Sequence, residues 1–262
     1  MNNNPIGIFD SGVGGTSIWK EIQKLLPNED TIYLADSKNA PYGEKSAAQI
    51  LQLSIKNTEL LLENSCKIIV VACNTATTNA IDYLRENYRV PFIGIEPAIK
   101  PAALQSKSKT VGILATKGTL SSRLFHSTAE MHAKGIKIIE REGVGLVPLI
   151  EQGKINSKET LNLLKTYLKP MLDEDIDYLV LGCTHYPYLA PVLKELLPVS
   201  VQIIDSGEAV ARQTQAVLEK NELINPSPQL GRHQFYTNVA SEVLKDFIKE
   251  NKASYSVKQI DF

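Results

Sequence analysis

Short apolar runs alternate along the chain with longer stretches in which apolar residues recur every three or four positions. The runs occupy residues 5–9, 31–35, 68–72, 92–95, 110–115, 136–140, 178–181 and 201–204, and they are rich in Ile and Val. Continuous apolar runs of this length read as strands buried on both faces, hence as a parallel sheet. Helices fit the segments between them. Residues 16–26 place Ile18, Ile22, Leu25 and Leu26 on one face and stop at Pro27. Ser46 and Gln49 form a capping-box pattern ahead of a helix over 50–63. Further helices fit 78–87, 121–133, 157–172, 187–197, 207–220 and 239–251. The alternation predicts an α/β fold with right-handed crossovers.

The pattern also repeats. Ile6-Gly7-Ile8-Phe9-Asp10-Ser11-Gly12 parallels the stretch from Val111 to Gly118, and Ile69-Val70-Val71-Ala72-Cys73-Asn74-Thr75 parallels the stretch from Leu179 to His185. On this reading Asp10 pairs with Thr116 and Cys73 with Cys183. Two similar units are expected, each carrying a cysteine at the C-terminal end of a buried strand. The Lys/Ser-rich stretch 97–109 is read as a break without a strand. The expected division is a first domain of residues 1–97 with 207–262 and a second of 98–206.

Composition narrows the class. The chain has 262 residues, 28 Lys+Arg, 29 Asp+Glu and three Cys. A net charge of -1 gives no polyanion-binding footprint, so no nucleic-acid partner is expected. Three cysteines make neither a disulfide scaffold nor a four-cysteine zinc site. The polar start, Met1-Asn2-Asn3-Asn4-Pro5, is not read as a signal peptide, and no apolar stretch is long enough to span a membrane. A cytoplasmic protein with reduced thiols is expected.

In open parallel sheets ligands bind beyond the carboxyl ends of the strands. Asp10, Asp36, Cys73, Glu96, Thr116, Cys183 and Asp205 fall there. A cysteine after an apolar strand is ordinarily a small buried hydrophobe, and Cys66 is read so. Cys73 and Cys183 differ, because Asn74-Thr75 and Thr184-His185 follow at once. These supply donors at an expected helix N-terminus, a place that lowers a thiol pKa and binds carboxylates. His185 is either a satisfied core histidine or the partner a cysteine needs to act as a base. Asp10 is either a helix cap or a charge facing the crevice. Gly12-Val13-Gly14-Gly15 follows a strand and opens a helix, but Ser17 stands where a dinucleotide fingerprint needs glycine. Those glycines are read as allowing a tight turn and exposing N–H groups. Pro41-Tyr42-Gly43 reads as a turn that presents the Gly43 N–H to a ligand. No metal is expected, since no CxxC or HxxxH occurs and Cys183-Thr184-His185 is poorly spaced for ligation.

Taken together, Ile8-Phe9-Asp10-Ser11-Gly12-Val13-Gly14-Gly15, Pro41-Tyr42-Gly43, Ala72-Cys73-Asn74-Thr75-Ala76, Pro148-Leu149-Ile150-Glu151-Gln152-Gly153, Gly182-Cys183-Thr184-His185-Tyr186-Pro187 and Asp205-Ser206 resemble the motifs of bacterial glutamate racemases. The resemblance implies two pseudosymmetric α/β domains, each a mainly parallel sheet flanked by helices, with the substrate in the cleft between them. It implies cofactor-independent interconversion of L- and D-glutamate, the D-isomer feeding peptidoglycan synthesis, and a homodimer. It further implies that Cys183 takes the α-proton of L-glutamate and Cys73 that of D-glutamate. Asp10 would assist Cys73, and His185 with Glu151 would assist Cys183. Ser11, Gly43, Asn74, Thr75 and Thr184 would be donors to the two carboxylates, with Pro41, Tyr42 and Thr116 beside them. The chain departs from the family at Asp36-Ser37-Lys38-Asn39-Ala40, where Asp-Thr-Ala-Arg is usual, and at Ala76-Thr77-Thr78, where Ala-Ser-Ala is frequent. Two alternatives stay open: a racemase of aspartate or another amino acid, and a two-domain amino-acid binding protein without catalysis. The second does not account for two cysteines in matched places. A Cys–His hydrolase would leave one cysteine idle, and a pyridoxal-phosphate enzyme would need a lysine that the crevice motifs lack.

Overall fold

The computed structural model describes residues 3–249 and 254–262. All eight apolar runs form strands: β1 (Ile6–Asp10), β2 (Thr31–Ala35), β3 (Ile68–Val71), β4 (Phe92–Gly94), β5 (Thr110–Ala115), β6 (Lys137–Glu142), β7 (Tyr178–Gly182) and β8 (Gln202–Ile204). Two more, β9 (His233–Thr237) and β10 (Tyr255–Gln259), have no apolar run behind them. The helices are α1 (Thr16–Leu25), α2 (Ala47–Glu63), α3 (Asn74–Asn87), α4 (Ile99–Gln105), α5 (Lys117–Leu120), α6 (Arg123–His132), α7 (Leu146–Glu151), α8 (Lys158–Leu172), α9 (Ala190–Leu196), α10 (Gly207–Lys220) and α11 (Glu242–Ile248). Residues 250–251 of the expected final helix, and Met1-Asn2 of the polar start, lie outside the described residues.

The strands form two sheets, ordered β10-β9-β2-β1-β3-β4 and β6-β5-β7-β8, and every pairing is parallel. The segment β2-β1-β3-β4 of the first repeats the order of the whole second sheet. The register repeats too. Gly7 lies opposite Ile69 and Gly112 opposite Leu179, four residues before Cys73 and Cys183 respectively. At both glycines a helix approaches the sheet closely. A Cβ on Gly7 would stand 3.1 Å from Leu61 of α2, and one on Gly112 would stand 3.0 Å from Met171 of α8. This register corrects the expected pairing by one residue: Thr116 corresponds to Ser11, and Asp10 corresponds to Ala115.

Local sequence explains most elements. The Ser46 hydroxyl accepts from Gln49 N–H and the Gln49 side chain accepts from Ser46 N–H, closing the expected capping box on α2. Helix α3 starts at Asn74 rather than 78, because the Cys73 sulfur accepts from Ala76 N–H and so caps it. Helix α4 occupies the expected break, its Pro101 lying in the first turn, where a missing N–H costs nothing. The left-handed Gly145 (φ 81°) turns the chain into α7. Helix α10 packs against α1, beside the first sheet. Among the described residues no helix is long and apolar enough to cross a membrane.

The strand-end residues separate into groups. Cys73, Thr116 and Cys183 meet at one small cavity, whereas Glu96 and Asp205 line another, of about 450 Å³, between the segments linking the sheets. Asp36 enters neither. Its Oδ1 accepts from Asn39 and Asn238 amides, at 2.8 and 2.5 Å, and its Oδ2 accepts from the Tyr42 hydroxyl at 2.6 Å.

Candidate active site

The two strand-end cysteines share a cavity. Ser11, Tyr42, Gly43, Cys73, Asn74 and Thr75 line it from the first sheet's side, with Pro41. Thr116, Cys183, Thr184 and His185 line it from the second, with Val147. All three cysteines of the chain are free thiols. The cavity measures about 10 Å³, room for one water at most on a scale where a water needs roughly 10–15 Å³. The cleft is shut. Thr75 and Thr116 hydroxyls bridge it at 2.8 Å, Thr16 and Tyr188 hydroxyls at 2.5 Å, and the Ser17 hydroxyl donates to Thr184 O at 2.9 Å.

Cys73 caps α3, with Ser11 Oγ 3.7 Å from its sulfur. The helix N-terminus does not leave it a low-pKa thiol. Burial, the Asp10 charge and Cys183 push the Cys73 thiol far up, against the Ala76 N–H and the Ser11 hydroxyl. Asp10 does not face the crevice. It is fully buried one layer behind, its Oδ1 accepting from Gly12 N–H and its Oδ2 from the Thr184 hydroxyl, both at 2.9 Å. Burial, helped by the Glu151 charge, raises the Asp10 carboxyl from 3.8 to about 6, against His185 and its two donors.

Cys183 Sγ lies 3.8 Å from His185 Nδ1, and His185 Nε2 lies 2.5 Å from Glu151 Oε1. The Glu151 bond puts the proton on Nε2, so the Gly14 N–H at 3.3 Å packs against the ring rather than donating to it. Burial alone would hold the imidazole neutral; hydrogen bonds to Cys183 and Glu151 outweigh it and carry the His185 pKa well above its usual value. Glu151 ends α7, where the helix dipole disfavours a carboxylate. The first half compensates: Val13 N–H donates to Oε1 at 2.7 Å and the Ser37 hydroxyl to Oε2 at 2.9 Å.

This docking accounts for the glycine cluster. A Cβ on Gly12 would collide with Glu151 Oε1, and one on Gly14 with the His185 ring. Neither residue has a positive φ. They are glycine because side chains of the other half occupy their space, not because the turn needs a left-handed residue. Gly43 is alike, since a Cβ there would stand 2.8 Å from Thr116 Cβ. Asn74 is the one polar side chain of the cavity whose Oδ1 and Nδ2 are both buried without a partner in the described structure. Among the described residues no cluster of His, Cys, Asp or Glu has a metal-binding arrangement.

Residues 6–214 match the Asp/Glu/hydantoin racemase family. The chain belongs to that family. It is 49% identical over 225 residues to a glutamate racemase of Ectopseudomonas mendocina, covering 86% of each protein. It is 44% identical over 238 residues to that of Herpetosiphon aurantiacus, covering 91% of this chain and 94% of the relative. The Escherichia coli glutamate racemase, solved with L-glutamate and an activator, superposes with a TM-score of 0.87 at 33% identity over 98% of both chains. The motifs that carried the family resemblance all come to the shared cavity or its backing layer, except Asp205-Ser206, which lies at the other cavity. Three residues escaped sequence reading. Val147 lines the cavity, Thr119 backs Thr75 and Thr116, and Ser37 holds Glu151. Two had a signal: Val147 stands beside the Pro148 motif of this family, and Ser37 lies in the stretch that departs from the family pattern.

Proposed function

We propose that the chain interconverts L- and D-glutamate without a cofactor, by proton transfer on opposite faces of the α-carbon. The observation that carries the reading is the pair of free thiols, at register-equivalent strand ends of two repeated sheets, lining one cavity. The chain's relatives are glutamate racemases, and the Escherichia coli relative binds L-glutamate. In the direction from L to D, the Cys183 thiolate takes the α-proton and the Cys73 thiol delivers its own to the opposite face. Cys183 ends as thiol and Cys73 as thiolate, so protons balance and the enzyme returns poised for D-glutamate. The raised pKa of the Cys73 thiol and the readily charged His185 beside Cys183 suit this starting state. When D-glutamate instead meets the resting form, Asp10 takes the Cys73 proton, a task fitted to a carboxyl near pKa 6, and His185 protonates Cys183, so that one thiol and one thiolate are kept.

The α-proton of an amino acid is very weakly acidic, so fixed donors must stabilise the charge that develops when it leaves. The Asn74 amide and the Ser11, Thr75 and Thr116 hydroxyls are placed for the substrate's carboxylates. Glutamate does not fit the shut cavity, so the halves part to admit it. In this reading the domains are residues 1–97 with 207–262 and residues 98–206, and the enzyme is a cytoplasmic homodimer supplying peptidoglycan synthesis. The test is circular dichroism of L-glutamate with the purified protein and no added cofactor. The signal should decay to zero. A signal that persists overturns the reading.

A further inference from the structure

The cleft is bolted by a residue that takes no part in the racemisation just described. Ser37 belongs to the first half, in the stretch where this chain departs from the usual family pattern. Its hydroxyl reaches across to Glu151 Oε2, 114 residues away. The other oxygen, Oε1, is engaged by His185 Nε2 and Val13 N–H. Ser37 is thus the donor that fixes the second oxygen, and hence the rotation of the carboxylate about its own axis. Were that donor lost, Oε1 would keep its two partners but Oε2 would have none, and the carboxylate could pivot about Oε1 and spoil the line of the His185 N–H.

The loop around Ser37 is built to hold still. Asp36 is fully buried and binds Asn39, Tyr42 and Asn238. Asn238 Oδ1 in turn accepts from Lys38 N–H at 2.9 Å. Residues on both sides of Ser37 are therefore pinned to the first half, while its hydroxyl points into the second. Glu151, His185 and Cys183 all belong to the second half. Their alignment is completed only when the first half closes on them.

We propose that Ser37 is a positioning residue for the Glu151–His185 pair, coupling closure of the cleft to the readiness of Cys183. The inference rests on the two-cysteine reading above. It predicts a one-sided defect, because nothing in the chain of contacts from Ser37 leads to Cys73.

The experiment compares the unmodified protein with Ser37→Ala and Ser37→Thr, using glutamate deuterated at the α-carbon in each enantiomer. Ser37→Ala should lower kcat about tenfold, the effect of one hydrogen bond to a charged group, with KM little changed. Slowing the Cys183 step makes cleavage on its face more rate-limiting. The deuterium isotope effect should therefore rise with L-glutamate and fall with D-glutamate. Ser37→Thr, which keeps the hydroxyl, should restore both to within about twofold. An unchanged kcat in Ser37→Ala, or isotope effects that move alike for both enantiomers, would overturn the assignment while the racemase reading stood. Absence of racemisation by the unmodified protein would overturn both.

Discussion

The surroundings of the two cysteines show how far the halves have diverged on one backbone plan. Strand order, register and the cysteine are common to both. The ionisable neighbours are not. Asp10 in the first half corresponds by register to Ala115 in the second, and His185 in the second corresponds to Thr75 in the first. Each half keeps one ionisable group where the other has none. Each group is also held by the opposite half: Asp10 by the Thr184 hydroxyl, and Glu151 with His185 by Val13 N–H and Ser37. The repeated backbone supplies the matched placement, whereas the asymmetric side chains give the two thiols different surroundings, as the proposed division of labour requires. Opening the cleft would undo both sets of supports at once.

The harshest way to break this comparison is to remove one sulfur at a time. Cys73→Ser and Cys183→Ser should each lower racemisation by about 10³-fold or more, as loss of a general acid–base group does. Exchange of the α-proton in D2O, followed by NMR, tells the two variants apart. Cys73→Ser should still exchange L-glutamate, and Cys183→Ser should still exchange D-glutamate. If both variants exchange the same enantiomer, the cysteines do not serve opposite faces.

Asp10 gives a test by stability. Its carboxyl rises from 3.8 unfolded to about 6 folded, so the folded state is favoured below pH 3.8 and loses that advantage as pH rises through 6. At 1.36 kcal/mol per pKa unit the loss comes to about 3 kcal/mol, or roughly 5–10 °C in Tm for a chain of this size. Asp10→Asn has no such titration, so its Tm between pH 4 and pH 7 should fall by that much less. His185 enters the window only in its last half unit. Its pKa is raised too, so its stabilisation is whole below 6.5, declines above that and is gone once pH passes its higher folded value. Parallel Tm curves for both proteins would mean that Asp10 is not the buried charge inferred from its surroundings.

A smaller effect follows from the glycines. Gly14→Ala places a methyl in the space of the His185 ring and should hold the cleft partly open. A fall in kcat of roughly 30-fold is expected, equivalent to about 2 kcal/mol. Tm should change by less than in a core variant, since the turn itself has no positive φ to lose. A normal kcat would show that closure onto the glycine loop is dispensable.

These residues also mark where sequence reading stops. The strands buried on both faces announce themselves as apolar runs, and the two cysteines stand out because polar residues follow them. Strands β9 and β10 do not, because they extend one side of the first sheet and alternate exposed with more buried positions. Helix α4 was hidden by Pro101, a residue that breaks a helix only beyond its first turn. The glycine cluster was visible but its cause was not. That cause is Glu151, 138 residues from Val13, together with His185, and contacts of such length depend on how the two sheets meet. What Ser37 touches is hidden for the same reason.

The finest test uses a residue adjacent in sequence to one cysteine that serves the other. Thr184 follows Cys183, yet its hydroxyl donates to Asp10, the group assigned to Cys73. Thr184→Val removes a donor that lowers the Asp10 pKa, so the carboxyl should rise beyond 6 and its useful ionised form should require higher pH. The acid limb of the kcat/KM profile should move up by about one pH unit, the effect of one hydrogen bond to a charged oxygen. That is roughly a tenfold loss on the acid side and little loss near pH 8. The deuterium isotope effect should rise with D-glutamate, opposite to the effect of Ser37→Ala. If Thr184→Val instead impairs the face served by its neighbour Cys183, the halves are not cross-braced. Each cysteine would then answer to the side chains of its own sheet.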